Sequence, residues 1–243
     1  MTDENSSQQE QPSVPLVTFP AVLKRLDFQQ NLKADEYRRL EVDGLQVLRA
    51  YCQEMTLGMA YEQYVQSDEN LSNPHTLTRG NFKNSRRVHS LGWSYIGLAD
   101  LMDQHLPQLD QIPPDADMFL TDAYDGRAID ILVWACTQFR GINVANATKL
   151  LYQKRPRLIP IVDRLVRQAF NIHYIGGYAA KDYRAAFELS FQRFREVSSG
   201  SQHAVDRIMT SISTDRSTTG GLLLSRARVL DVLGWSVVRQ MGD

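Results

Sequence analysis

The chain has little cysteine, no long apolar run and almost no net charge, and each shortage excludes a class of protein. Cys52 and Cys136 are the two cysteines among 243 residues, too few for a disulfide scaffold or a four-cysteine iron–sulfur site, so we expect buried thiols. No apolar run approaches the ~20 residues of a transmembrane helix. The polar, acidic start of the chain lacks the basic-then-apolar order of a signal peptide. We therefore expect a cytoplasmic protein without a membrane partner.

Metal and cofactor signals are also missing, and helical patterns take up most of the chain. The five histidines show no paired ligand spacing, so no metal or other cofactor is expected. Residues 1–15, rich in Gln, Ser and Pro, predict a disordered tail, and residues 16–243 a helical domain. Apolar periodicity predicts helices over 34–55, 57–65, 90–105, 124–138, 143–154, 160–170, 181–197, 203–212 and 222–240. A loop is predicted over 68–84, and strand-like alternation occurs near 16–19 or 170–174.

The net charge of −1 conceals a strong local asymmetry. Between Arg140 and Phe170 the sequence has seven basic residues against the single acid Asp163, whereas residues 100–130 carry eight aspartates and one basic residue, Arg127. A basic block of this kind is typical of a protein that binds nucleic acid with one face. The alternative is that these charges are spread around several helices and are simply solvated.

The segment from Gly141 to Ala147 predicts a tight turn between two helices. Gly141 can adopt the positive φ that such a turn needs, and Asn143 can cap the following helix. The backbone amides of Asn143, Val144 and Ala145 would then lie at a helix N-terminus and could bind a phosphate, with Lys149 near the same end. The alternative is an ordinary helix connection with an asparagine cap.

Asp163 follows at a fixed distance, in the first turn of a helix that Pro160 begins. The helix dipole keeps a carboxylate ionised there, and the neighbouring Arg164 and Arg167 are placed to contact phosphates. The alternative is that Asp163 only complements the dipole.

Together these residues resemble the helix-hairpin-helix (HhH-GPD) DNA glycosylase superfamily. Residues 139–147, Phe-Arg-Gly-Ile-Asn-Val-Ala-Asn-Ala, are similar to its Leu-Pro-Gly-Val-Gly-x-x-x-Ala hairpin. Residues 159–163, Ile-Pro-Ile-Val-Asp, are similar to its Val-Pro-Val-Asp segment, which ends in the catalytic aspartate. The run that starts at Lys154-Arg155-Pro156 also resembles a divergent bacterial branch. The resemblance covers residues 134–170.

The resemblance implies an all-α, helix-hairpin-helix glycosylase-like fold of one lobe or two, with residues 120–175 holding the hairpin and the aspartate. It implies a monofunctional DNA glycosylase that needs no cofactor. The enzyme would flip a damaged or modified base out of double-stranded DNA, hydrolyse its N-glycosidic bond and leave an abasic site. Asp163 would be catalytic, and Ala145 stands where members with lyase activity carry a lysine. The role would be DNA repair or, for a phage-type modified base, antiviral defence.

Aromatic side chains are the candidates for a base pocket, although each could instead belong to the core. They are Trp93, Tyr95, Tyr124 and Trp134, whereas Trp235 is most simply a core residue. We expect Asp163 to face a cleft lined by residues 141–145 and at least one aromatic ring. The main rival is a catalytically inert helix-hairpin-helix DNA-binding protein. A protein-interaction module that uses the aspartate-rich segment and an enzyme acting on small nucleosides are further alternatives.

Overall fold

The computed structural model describes residues 14–22, 37–88, 106–139, 141–172, 179–214 and 221–241, which are mostly helical. The elements are β1 (Leu16–Val22), β2 (Tyr37–Asp43), α1 (Gly44–Glu54), α2 (Thr56–Val65), α3 (Asp68–Leu71), α4 (Arg79–Val88), α5 (Pro107–Asp110), α6 (Asp125–Gln138), α7 (Val144–Tyr152), α8 (Arg164–Ala169), α9 (Ala180–Gly200), α10 (Gln202–Thr214) and α11 (Arg226–Met241). None of the helices in these ranges is both long and apolar enough to cross a bilayer. The predicted helical class is confirmed.

The two strands form an antiparallel pair whose register runs from Leu16 opposite Asp43 to Val22 opposite Tyr37. The strand signal near residue 16 is confirmed, but the helix predicted over 34–55 is wrong over residues 37–43. Backbone pairing with the preceding strand, β1, overrides the local helical spacing there. The Asp43 side chain then starts α1, because its Oδ1 accepts from the backbone N–H groups of Leu45 and Gln46, both at 3.1 Å.

Most other helices lie within a few residues of their predicted bounds. The loop predicted over 68–84 is wrong, because this range contains α3 and the first half of α4. Ser67 begins α3 by accepting from the Asn70 N–H, a capping signal that a short helix leaves hard to see. At residues 170–172 the chain turns instead of forming a strand, with Asn171 at φ 52°. The predicted tail over residues 1–13 and the helix over 90–105 lie outside the described residues.

Close packing of α8 against α11 places Asp163, the residue just before α8, beside the C-terminal helix. Gly234 of α11 makes the approach possible, since a Cβ there would lie 2.7 Å from Cε2 of Phe170. Phe170 in turn stacks on Phe194 of α9 with ring centroids 4.1 Å apart. Helix α6 packs against α9, with Ile131 and Leu132 fully buried. Both helix pairs therefore share one hydrophobic core.

The basic block does not form one surface, because three of its members are buried: Lys149, Lys154 and Arg155. Lys154 Nζ donates to Asn70 Oδ1 at 2.9 Å and to the Asn73 carbonyl at 2.8 Å. Arg155 is 0% exposed and donates to the carbonyls of Leu109, Ile112 and Pro74 at 2.6, 2.9 and 3.0 Å. The Lys-Arg-Pro run thus ties α7 to two loops, while Arg157 and Arg164 are exposed.

We predict that Arg155→Met lowers the free energy of unfolding by about 3 kcal/mol, because several buried carbonyls lose a charged donor. The matched change Arg157→Met, on an exposed side chain two residues away, should alter it by less than about 0.5 kcal/mol. Urea unfolding followed by circular dichroism measures both. Equal effects of the two changes would contradict a structural role for Arg155.

Candidate active site

Asp163 is the N-cap of α8, which begins at Arg164, so the prediction that Pro160 begins this helix is wrong. Its Oδ1 accepts from the backbone N–H groups of Leu165 and Val166, at 3.0 and 3.1 Å. These two bonds hold the carboxylate in one orientation. Its Oδ2 then lies 3.6 Å from Lys149 Nζ. The side chain is 21% exposed, so it is both anchored and accessible.

Lys149 lies in the second turn of α7, where its ammonium group faces Asp163; a phosphate contact by Lys149 stays a prediction. The side chain is only 5% exposed and points towards Asp163. Burial lowers the pKa of the ammonium group, and the negative charge of Asp163 opposes that shift. Lys149 is thus a buried partner of the candidate catalytic carboxylate.

The turn before α7 has the predicted local geometry. Gly141 adopts φ 86°, and Asn143 caps α7 by accepting from the Asn146 N–H at 3.0 Å. The Asn146 side chain donates back to the Gly141 carbonyl at 3.3 Å, which closes the turn. Gly141 and Asn143 are exposed, Ala145 is half-buried and the Val144 side chain is buried. Binding of a phosphate here, and by the exposed Arg164 or half-buried Arg167, stays a prediction.

A cavity of about 150 Å³ opens beside Asp163. Its wall is built from helices at both ends of the chain and from the segment before α8, by Tyr51, Met55, Leu57, Gly58, Lys149, Ile161, Asp163, Val166, Arg228, Asp231, Val232 and Trp235. The expected aromatic residues are present, as Tyr51 and Trp235. Residues 141–145 are not part of the wall, so the expected cleft is only partly reproduced.

The aromatic residues of the cavity differ from those chosen from the sequence. Trp235 packs against the core as expected, but it is half-buried and also lines the cavity. The Arg239 guanidinium lies 4.9 Å from its ring centre. Tyr124 and Trp134 instead pack against the hydrophobic core, Trp134 edge-on to Phe139. Trp93 and Tyr95 lie outside the described residues. Cys136 is buried as expected, whereas Cys52 is half-buried.

Arg228, which is 6% exposed, stands at the centre of a buried charge cluster behind the cavity. Its guanidinium contacts the carboxyl groups of Glu62 (Nε to Oε1, 2.7 Å) and Asp231 (Nη1 to Oδ1, 2.6 Å). Its Nη2 donates to the Tyr51 hydroxyl at 2.6 Å. The Tyr152 hydroxyl donates to Glu62 Oε2 at 2.9 Å. Four helices therefore meet around one guanidinium.

Asp231 is the carboxyl group of this cluster with an unused oxygen. Its Oδ2 is buried without a hydrogen-bond partner among the described residues. Burial raises the pKa of Asp231 to about 8; the Arg228 charge opposes this rise, and the negative charges of Glu62 and Asp163 add to it. Burial also raises the pKa of Glu62, and Arg228 opposes it.

Sequence reasoning missed this cluster, although a signal was available. Arg228 and Asp231 stand three residues apart within an otherwise apolar stretch of the last helix, and Glu62 interrupts an apolar stretch of α2. Charged residues at positions that face a core are costly unless they are paired.

The cavity, the anchored aspartate and the buried charge cluster define a helical protein with a polar site enclosed by its first and last helices. The chain belongs to a family described as "Family of unknown function (DUF6308)", which matches residues 45–238. The match includes every residue of the cavity wall. No curated protein and no solved structure matches the chain.

We predict that the folded protein loses stability as the pH rises from about 4 to about 8. Asp231 holds its proton up to about pH 8 when folded, whereas an unfolded aspartate loses it near pH 3.9. The folded state therefore binds more protons in this window, and stability declines until both states are ionised. Asp231→Asn should flatten most of this decline. A smaller decline at the acidic end should persist, because burial also raises the pKa of Glu62.

Melting temperatures between pH 4 and pH 9 test this prediction. Asp115→Asn, on an exposed aspartate, is the matched control and should follow the wild-type curve. An Asp231→Asn variant that keeps the full wild-type slope would show that Asp231 is ionised in the folded protein at neutral pH.

Proposed function

We propose that the protein is a monofunctional DNA glycosylase with a helix-hairpin-helix-type fold. It would hydrolyse the N-glycosidic bond of a damaged or modified base and leave an abasic site. One observation carries the proposal. The Asp163 carboxylate, anchored by two backbone N–H groups, lies in the wall of a cavity that also contains two aromatic side chains.

The geometry suits the chemistry of this reaction. A base rotated out of the duplex can enter a cavity and stack on aromatic rings, here Tyr51 and Trp235. As the base departs, the sugar acquires positive charge. A fixed carboxylate such as Asp163 stabilises that charge and activates a water molecule. Because Asp163 is held by its own helix start, little reorganisation is needed when the charge develops.

The hairpin and α8 supply the proposed DNA contacts. The exposed turn at Gly141 and Asn143 precedes α7, whose N-terminal amides attract a phosphate. The same helix carries Lys149, the partner of Asp163, and Arg164 lies exposed directly after Asp163. A phosphate held at the turn would therefore be linked to the carboxylate through a single short helix.

Lyase activity is not part of the proposal, because Ala145 has no amine. The amine of the cavity belongs to Lys149. Strand breaks that appear without alkali treatment, and that disappear in Lys149→Met, would change the assignment from a monofunctional to a bifunctional enzyme.

The rival function, an inert DNA-binding protein, has an observation of its own in its favour. The Asp163 carboxylate accepts from two helix N–H groups and pairs with one ammonium group. A carboxylate that serves only as a structural N-cap would make the same contacts. A structural cap predicts no abasic product from any base.

We predict that Asp163→Asn lowers the rate of base excision at least ~100-fold, since asparagine cannot stabilise the sugar cation. Duplexes with damaged or virally modified bases are incubated with protein and then treated with alkali, which cleaves at abasic sites. Asparagine still caps a helix, so the free energy of unfolding should change by about 1 kcal/mol or less.

Asp43→Asn is the matched control for this experiment. Asp43 caps α1 in the same way, because its Oδ1 accepts from two backbone N–H groups. Asp43 does not line the cavity, so Asp43→Asn should remove the base at the wild-type rate. Equal activity of all three proteins would remove Asp163 from the mechanism. Absence of breaks on every substrate, with DNA binding intact, would favour the inert binder.

We also predict that Arg164→Gln weakens binding to undamaged duplex DNA and reduces the slope of log K against log salt by about 1. Fluorescence anisotropy between 50 and 200 mM salt measures this. Arg127→Gln, on an exposed arginine of α6, should leave the slope unchanged. An unaltered slope for Arg164→Gln would place the DNA elsewhere on the protein.

A further inference from the structure

The size and lining of the cavity restrict what it can hold. Its volume is about 150 Å³, and an engineered protein cavity of about 150 Å³ takes one benzene ring. The wall combines the rings of Tyr51 and Trp235 with the aliphatic Ile161, Val166 and Val232. A flat, single-ring group fits this space better than a fused two-ring group.

A second aspartate lines the same cavity from a different element. Asp163 belongs to the start of α8, whereas Asp231 belongs to α11 and is 2% exposed. Oδ1 of Asp231 is held by Arg228 Nη1 at 2.6 Å, and Oδ2 has no hydrogen-bond partner among the described residues. A buried carboxyl oxygen without a partner is costly in the folded protein, unless it carries a proton or meets a ligand.

The surroundings of the two aspartates favour opposite charge states. Two backbone N–H groups and Lys149 surround the Asp163 carboxylate. Asp231 is 2% exposed and contacts Arg228 through Oδ1 alone, and burial raises its pKa to about 8 although the Arg228 charge opposes the rise. Charged and titratable groups from five helices act on Asp231: Arg228 on its own helix, Tyr51 on α1, Tyr61 and Glu62 on α2, Lys149 and Tyr152 on α7, and Asp163 at the start of α8. Sites that separate two carboxyl groups in this way use one as the acid and the other as the base or charge stabiliser.

We propose that the cavity takes a single-ring, pyrimidine-type base, and that the Asp231 carboxylic acid donates its Oδ2 proton to this base as the glycosidic bond breaks. The inference rests on the proposed glycosylase function and adds the substrate class and the proton donor. Neither follows from the position of Asp163.

The proposed step is balanced as follows. The bond between C1′ and the ring nitrogen breaks, its electron pair leaves with the base, and the Asp231 proton neutralises the base at a carbonyl oxygen or ring nitrogen. A water oxygen bonds to C1′, and one of its protons passes through the Asp163 carboxylate to solvent. Asp231 then recovers a proton from solvent. The net reaction consumes one water and yields the free base and an abasic sugar.

The first test needs no substrate. Carboxyl ¹³C NMR spectra of protein labelled at its aspartates are recorded between pH 3 and pH 10 for the wild type and for Asp231→Asn. We expect the signal missing from the variant to titrate near pH 8 in the wild type. Titration of that signal near pH 4, the usual range for aspartate, would overturn the proposal whatever the activity is.

The second test measures single-turnover excision between pH 5 and pH 10. The substrates are duplexes with uracil or 5-hydroxymethyluracil as single-ring bases, and with hypoxanthine or 8-oxoguanine as double-ring bases. We expect excision of single-ring bases, with a wild-type rate that falls above about pH 8. Asp231→Asn should be ~100-fold slower at pH 7 and lack that fall, whereas Asp115→Asn should behave as the wild type.

The outcomes separate the two proposals. Loss of activity in Asp163→Asn together with a wild-type rate and pH profile in Asp231→Asn overturns the proton donor alone. Excision confined to double-ring bases overturns the substrate class alone. If no base is removed in an Asp163-dependent way, the glycosylase function fails and this inference fails with it. Should Asp231→Asn not fold, a wild-type rate that stays constant from pH 7 to pH 10 overturns the proton donor.

Discussion

The site depends on the contacts that the buried guanidinium of Arg228 makes with its neighbours. Tyr51 of α1, Glu62 of α2 and Asp231 of α11 contact it directly, and Tyr152 of α7 reaches it through Glu62. A charge taken out of water is tolerated only while its partners stay in place, and the loss of one partner leaves the others uncompensated. This requirement holds together four of the five helices that contribute to the cavity wall.

The charged residues of the cluster and of the cavity wall together influence the pKa of Asp231. Besides Asp231, the charged residues of the cavity wall are Lys149, Asp163 and Arg228. Arg228 also contacts Glu62 behind the wall, so two basic and two acidic residues surround Asp231. Ionisation of Asp231 would add an uncompensated negative charge to a poorly hydrated region, which agrees with its raised pKa. Burial thus raises the pKa of one carboxyl group of the cavity, while two backbone N–H groups hold the other carboxyl group in place.

The basic block shows how far charge along a sequence can mislead. Arg157 and Arg164 are exposed, but Lys154 and Arg155 hold loop carbonyls in the interior, and Lys149 pairs with Asp163. Long basic side chains bury readily when carbonyl groups or a carboxylate receive them. The number of positive charges in a segment therefore predicts neither their exposure nor a nucleic-acid surface. Only the geometry around each side chain decides that.

The sequence by itself determined the local features: the turn at Gly141, the cap at Asn143, a helix close to Asp163 and most helix bounds. These depend on hydrogen bonds between residues a few positions apart, and so on residue types that are visible in the sequence. Tertiary structure alone decided the pairing of β1 with β2 and the assembly of the cavity from α1, α2, α7, α8 and α11. It also decided the burial of Asp231, which raises the pKa of its carboxyl group. Burial and long-range pairing arise from packing between segments distant in the chain, which no local pattern encodes.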